Sequence, residues 1–413
     1  MTDGEPGSCL LCMARSLDEV ITLRPTPPAN ALAATADEAQ AAATYPLRLS
    51  RCRECGLVQL ADRISRDLLF RDYKYATGAA PGLVRHFGAL AAYLIARHAI
   101  PPGSAIVEVG SNDGTLLRAF ADQGMRVLGV DPAVELARQA TESGIPTYPE
   151  HFDERVAERV MAEFGPADIV LANNVLAHVS DLNSTLRGVR ALLMPTSHGV
   201  FEAAHLLPMV TEGMYEFIYH EHVAYFSLRT MRSAVNRHGM EVVDVEEVPT
   251  QGGSIRCWVK LADGLTQADI SPRVTDLLRR EDDAGLTDGS LLRRFAARVS
   301  RVNTMLCDVV GSLHASGKRI CGYGASARAV TLMSQAGIGH AVNWIADDNP
   351  KKIGLYVPGS GIPIRPPSEL TPDESDYCVL FAWNFSADIT AKTVDFTGGG
   401  GMFIVPFPEL TVR

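Results

Sequence analysis

Residues 105–117 read AIVEVGSNDGTLL. An apolar run broken only by Glu108 meets two glycines, Gly110 and Gly114, and Thr115 then opens a helical pattern. A strand that ends in a glycine turn and passes directly into a helix is the opening unit of a doubly wound α/β domain, with ligand at the carboxyl end of the strand. Outward from it, RVLGVD, ADIVLANNV and GVFEAA read as strands, while TLLRAFADQ, AVELARQAT and LNSTLRGVRALL carry helical periodicity. This βαβαβ order predicts a parallel sheet.

The loop is acidic. Glu108, Asp113 and Asp131, which ends the second strand, would repel a pyrophosphate. A carboxylate at Asp131 can accept both hydroxyls of a ribose. S-adenosylmethionine offers a ribose, an amine and a positive sulfur, and it has no phosphate. The candidate cofactor residues are therefore Glu108, Gly110, Asn112, Asp113, Gly114 and Asp131, together with Asn173 and Asn174 at the end of ADIVLANNV. A structural loop without a ligand is the alternative.

With 413 residues the chain is too long for one core and predicts two or three domains. A net charge of −10 argues against a broad nucleic-acid surface. No apolar run approaches membrane-spanning length, and MTDGEPGSCLLC lacks the pattern of a signal peptide, so a cytoplasmic protein is expected. In that compartment paired cysteines are better metal ligands than disulfides. Cys9, Cys12, Cys52 and Cys55 form two CxxC pairs that can complete a tetrahedral zinc site, provided the long segment between them folds back. Reduced thiols in a small apolar module are the alternative. Cys257, Cys307, Cys321 and Cys378 stand alone and read as core.

TDLLRREDDAGL and LLRRFAARVSRVNTMLCDVVGSLHAS fit long amphipathic helices. A second strand–glycine–helix unit follows, KRICGYGASARAV. Gly324, Ser326 and Arg328 can hold a phosphate at a helix N-terminus. With Asp347 and Asp348 ending the next strand, the same loop also reads as a nicotinamide-dinucleotide site or as a structural turn.

The stretch FIYHEHVAYFS, residues 217–227, is the other concentration of chemistry. It is no zincin motif, because Ala224 stands where a second ligand is needed. On a strand, His220 and His222 share one face and Glu221 points away. A partial metal site and a hydrogen-bonded polar strand edge are both compatible with it.

Taken in order, the paired CxxC, TPPANAL, VEVGSNDGTLL, YHEHVAYFS and GYGASAR resemble the sugar C-methyltransferases that act on nucleotide-linked 4-ketohexoses. The resemblance implies an N-terminal zinc module (1–70), a central class I methyltransferase Rossmann-like domain (71–264), and a helical linker with a C-terminal Rossmann-like substrate domain (265–413). It implies His222 as general base, with Tyr219 and Glu221 in support and Tyr73 or Tyr75 facing the ketone. A ketone at C4 acidifies the neighbouring C–H, so the chemistry asks for a base near neutral pKa and an oxyanion donor. Ser254, in QGGSIR, falls at a substrate-wall segment of the family, where a plain turn fits equally. The expected cofactors are S-adenosylmethionine and structural zinc, and the expected partner is a small nucleotide sugar, with dTDP as the nucleotide. A ketosugar reductase using NAD(P), alone or joined to methyl transfer, is the competing activity. An epimerase, an O- or N-methyltransferase and a non-catalytic cofactor sensor are further classes. C3 and C5 both neighbour the ketone, so either can accept the methyl.

Overall fold

Strands Leu17–Thr26 and Tyr45–Cys52 pair antiparallel, with Leu17 opposite Cys52. That register returns the chain to its start and explains how two distant CxxC pairs meet. The computed structural model describes residues 7–70, 76–79 and 81–413. Among these, the strands form three sheets. The first continues through Val58–Leu60 to Ala224–Tyr225, so a strand from the middle of the chain closes the N-terminal module.

The central sheet runs in the order Met240–Val248, Ser254–Leu261, Leu193–Ala204, Ala167–Asn173, Ala105–Val109, Arg126–Val130, Thr147–Tyr148. The last five are mutually parallel, as the alternating pattern predicts. The first two join antiparallel, which departs from the all-parallel expectation. Their connection, residues 249–253, is too short for a crossover, so the chain can only turn back as a hairpin. Short polar residues cap several of the helices. Asp153 accepts the Val156 N–H at 2.8 Å, Asp181 the Ser184 N–H at 2.9 Å, and Ser227 forms a capping box with Thr230.

The linker consists of the helices Pro272–Asp283 and Ser290–Ala315, as the periodicity predicts. The second is 26 residues long and packs against the N-terminal sheet, the helix Leu206–Glu212 and the helix Ala327–Ala336. The third sheet has five parallel strands, in the order Ile362–Arg365, Ile345–Ala346, Ile320–Tyr323, Tyr377–Leu380, Met402–Val405, with an antiparallel strand at each edge. The fold is thus α/β throughout, a zinc-type module followed by two Rossmann-like layers.

Packing ties the three parts together. Leu47, Leu49 and Leu60 of the first sheet share a core with Phe295, Val330 and Phe381. Leu10 and Leu11 of the first CxxC share another with Leu182, Leu186 and Phe226. Each fully buried side chain of this size contributes about 1.5–3 kcal/mol, so the zinc knuckle and the linker are anchored as firmly as a domain interior. Cys257, Cys321 and Cys378 are buried as expected. Cys307 is exposed, because it lies on the outward stripe of the long helix while Leu306 and Val310 take the inward one. Among the described residues no helix is long and apolar enough to cross a membrane.

Candidate active site

The HEH stretch is a turn, not a strand. The His222 N–H donates to the Tyr219 carbonyl at 2.9 Å, which closes the turn. The next residues fasten it on both sides. Val223 N–H reaches Ala177 of the central domain at 2.8 Å, and the Val223 carbonyl accepts from Leu60 of the N-terminal sheet at 3.0 Å. The alternation expected of a strand does not apply, and the three side chains separate by function.

His222 is half-buried, and its Nδ1 lies 2.9 Å from the Phe217 carbonyl. A carbonyl can only accept, so Nδ1 carries the proton and Nε2 keeps the lone pair. Tyr219 Oη sits 3.0 Å from Nε2 and donates to it. The imidazole is stacked with Phe217, with centroids 6.3 Å apart, and meets His178 edge-on at 4.9 Å. Burial lowers its pKa to about 3, with His178 and Arg328 adding to the shift, so the ring is in its base form at physiological pH. Burial, with the Glu221 charge adding to it and Arg328 opposing, pushes the Tyr219 hydroxyl well above its usual range, and the phenol remains a donor.

Glu221 is buried and accepts from Asn30 Nδ2 at 2.7 Å. Asn30 ends TPPAN, and no local signal in the sequence joins it to a residue so far along the chain. His220 is buried against the N-terminal sheet, edge-on to Tyr45 and 3.2 Å from the Pro46 carbonyl, where its part is packing. His178, which follows Asn173 and Asn174 closely in the sequence at the expected cleft, is a neighbour of His222. Burial lowers its pKa to about 4, and its Nδ1 has no partner. Tyr73 and Tyr75 lie outside the described residues.

The first glycine loop carries unspent polarity. Glu108 Oε2, Ser111 Oγ and both side-chain polar atoms of Asn173 are buried without hydrogen-bond partners. Burial raises Glu108 to about 8, helped by the charges of Asp131 and Asp113. Asn173 stands close enough to ease that shift but makes no well-directed bond. Such orphaned atoms at the carboxyl ends of parallel strands match a ligand with a cationic amine and hydroxyls. Asp131 accepts the backbone N–H groups of Asn112 and Ala133 at 2.7 and 2.9 Å, which fixes its carboxylate at the end of the strand. Gly110 is obligatory: φ is +71°, and a Cβ there would meet Val175 at 2.6 Å. Gly114 starts the helix Thr115–Ala121. Asn112 and Asp113 are turned elsewhere, to the N–H groups of Thr77 and Gly78 at 2.8 and 2.7 Å. Their side chains therefore hold the segment 76–79 against the loop. Asn174 adopts φ +54°, a strained value for a residue other than glycine, and its N–H reaches the Glu202 carbonyl.

The second loop is basic where the first is acidic. Arg328 lies over the Phe217 ring at 4.9 Å and donates to Asn384 at 2.9 Å. Ser326 caps the helix Ala327–Ala336, accepting the Ala329 N–H at 3.4 Å. A Cβ on Gly324 would meet Ala382 at 2.6 Å. Asp347, the residue a dinucleotide site would use for ribose, is bonded to Ala325 N–H at 2.8 Å and to Lys352 at 3.2 Å. Ser254 is not free to face a ligand, since its hydroxyl donates to the Thr250 carbonyl at 2.9 Å.

The four cysteine sulfurs of the N-terminal module lie within 4.8 Å of one another, with Cys9–Cys55 and Cys12–Cys52 contacts of 3.4 Å. Thiolates about 2.3 Å from a common ion stand at comparable separations, so the donor set fits tetrahedral zinc. The residues present thus fit both expected cofactors, S-adenosylmethionine at the first glycine loop and zinc at the cysteine cluster.

Three family models match in sequence: a zinc binding domain over residues 9–70, a methyltransferase domain over 84–245, and a C-methyltransferase C-terminal domain over 249–408. A ubiquinone biosynthesis O-methyltransferase of Methylobacterium is 34% identical over 106 residues, covering 25% of this chain and 41% of that protein. The magnesium protoporphyrin IX methyltransferase of Synechocystis, a solved structure, is 16% identical and covers 43% of this chain and 79% of its own, with a TM-score of 0.33. The C-methyltransferase NovU of Streptomyces niveus is 34% identical over 402 residues, 97% of this chain and 95% of that protein. A relative matched at that identity over nearly the whole of both chains shows that the chain belongs to the C-methyltransferase family.

Proposed function

We propose that the protein methylates a carbon beside the C4 ketone of a nucleotide-linked deoxyhexose, with dTDP as the nucleotide, in making a branched sugar for a secondary metabolite or glycan. Methyl transfer is assigned to residues 71–264, substrate binding to 265–413, and the site of action is the cytoplasm. One observation carries this reading. The base His222 and the cation Arg328 both pack against the Phe217 ring, 6.3 and 4.9 Å from it. A sugar with its reacting carbon at the imidazole would have this guanidinium at hand for its diphosphate.

S-adenosylmethionine supplies a methyl group on a positive sulfur, held by Glu108, Asp131 and Asn173. His222 Nε2 takes the proton from the carbon next to the ketone. The C–H electron pair becomes the new double bond, and charge moves to the C4 oxygen. Tyr219, which donates to Nε2 in the free chain, turns its hydroxyl to the C4 oxygen as substrate enters, which frees the Nε2 lone pair to take the proton. Glu221, fixed by Asn30, holds a sugar hydroxyl. The resulting carbon nucleophile is where the methyl arrives. Its test is a reaction with carbon-13 methyl donor and a dTDP-4-keto-deoxyhexose, read by NMR. A new carbon–carbon coupling in the sugar is expected at C3 or C5. A label bound to oxygen or nitrogen, or none in the sugar, overturns the proposal.

A further inference from the structure

A side chain from each outer module reaches the stretch 218–222. Asn30 comes from the N-terminal module, on a stiff turn. Pro27 and Pro28 restrict the backbone ahead of it, and the Ala31 N–H donates to the Pro28 carbonyl at 3.1 Å. Beyond it, Ala33 and Tyr356 of the third sheet exchange backbone hydrogen bonds of 3.1 and 2.9 Å. The turn delivers the Asn30 side chain to Glu221 Oε1 at 2.7 Å. A carboxylate only accepts, so the atom facing it is the amide nitrogen.

Thr331 comes from the helix Ala327–Ala336. Arg328 and Thr331 are three residues apart and share one face of that helix. Arg328 lies over Phe217, and the Thr331 hydroxyl donates to the next carbonyl, that of Ile218, at 3.2 Å. Thr331 and Ile218 are both buried, where a carbonyl without a donor is costly. The helix is tied back to the N-terminal module by Gln335, which bonds to the backbone N–H and carbonyl of Arg24 at 2.7 and 3.0 Å. Ile218 directly precedes Tyr219, and Glu221 directly precedes His222. Each contact therefore grips the residue before one member of the Tyr219–His222 hydrogen bond.

We propose that Asn30 and Thr331 are positioning residues of the methyl-transfer site: the zinc module sets His222 through Glu221, and the C-terminal module sets Tyr219 through Ile218. The inference rests on the nucleotide-sugar reading above and adds that both outer modules act on the chemical step. Loss of either contact should fall on kcat, because a displacement of about 1 Å can cost about a hundredfold, and should leave S-adenosylmethionine affinity unchanged.

The test is steady-state methylation of a dTDP-4-keto-deoxyhexose by full-length variants, with calorimetric cofactor binding beside it. Thr331→Val keeps the shape and deletes the hydroxyl, whereas Thr331→Ser keeps the hydroxyl. Valine should lower kcat about tenfold with KM nearly unchanged, and serine should restore it. Asn30→Asp reads the other contact through pH. Two carboxyl groups at hydrogen-bond distance hold one proton between them up to a pH well above the usual carboxylate range. While the proton is held, the pair keeps the bond and the single charge of the wild type; once it is lost, the two groups repel. Burial lowers His178, His220 and His222 and raises Tyr219, so these neighbours are neutral near pH 7 and do not supply that step. The ratio of variant to wild-type kcat should start near one at about pH 6 and fall about tenfold by about pH 9. Should this variant not fold, Asn30→Ala must lower kcat about tenfold at every pH. A ratio that stays flat, Asn30→Ala with wild-type kcat, or valine turning over like serine at position 331 overturns the positioning role and leaves the nucleotide-sugar reading standing. A wild type that transfers no methyl group to the sugar overturns both.

Discussion

Two strand–glycine–helix turns in this chain share a backbone plan and differ in charge. The first, ending at Gly110 and Gly114, is flanked by Glu108 and Asp131, with buried polar atoms left unpaired. The second, at Gly322 and Gly324, presents Arg328 and has its acid, Asp347, tied to its own backbone and to Lys352. The turn supplies close approach in both cases, and the side chains around it select the ligand. A glycine fingerprint is therefore weak evidence for a cofactor until the neighbouring charges are read with it.

The largest effect should come from the turn that stands between the two loops. His222→Asn should lower kcat by about 10³-fold or more, as expected for loss of a general base, with binding of both ligands retained. Steady-state kinetics and calorimetry together check this; near-normal kcat removes the base from the account. Zinc removal should come next. The strand Ala224–Tyr225 follows the catalytic turn and pairs with the N-terminal sheet, so a chelator that strips the ion should unfold that module and cut turnover by about a hundredfold. Metal analysis should find one zinc per chain, and a metal-free, fully folded protein would contradict it.

Two matched substitutions sharpen the contrast between the loops. Glu108→Gln should weaken S-adenosylmethionine by about tenfold and leave nucleotide-sugar affinity alone, since a buried charge–cation contact contributes about 1.5–3 kcal/mol. Arg328→Met should do the reverse, raising KM for the sugar nucleotide by about tenfold. Variants that each weaken both ligands equally would show that the loops do not divide the work. The smallest effect is on stability. His98, His178 and His198 are held at about 4 and His222 at about 3, all chiefly by burial. Each folded pKa is below the unfolded one, so their contribution is present above about pH 6.5 and is lost as pH falls toward 4. The melting temperature should drop across that window, and His178→Asn should flatten the drop slightly.

Where sequence was informative, the reason was local. AIVEVGSNDG and KRICGYGAS place strand, turn and helix within a dozen residues of each other, and CxxC pairs advertise their ligand by type and spacing. The long amphipathic helices followed from periodicity. The HEH turn was harder. Its alternating aromatics and histidines imitate a strand, whereas the His222 N–H closes a turn on the Tyr219 carbonyl and contacts of Val223 with Ala177 and Leu60, distant in the chain, hold it in place. Asn30 and Trp383 hold Glu221 and Glu216 across comparable sequence distances, with no motif to announce them. The exposed Cys307 and the antiparallel pair Met240–Val248 and Ser254–Leu261 were missed for a related cause. Helix facing and strand direction are settled by packing and by link length rather than by composition.

The central claim is that one imidazole nitrogen makes a sugar carbon nucleophilic. Its most direct test is hydrogen exchange in deuterium oxide, with the demethylated cofactor bound and a dTDP-4-keto-deoxyhexose present, followed by NMR. The wild type should replace the hydrogen on the accepting carbon with deuterium, and His222→Asn should not. Exchange by the variant at the wild-type rate would mean that another group takes the proton.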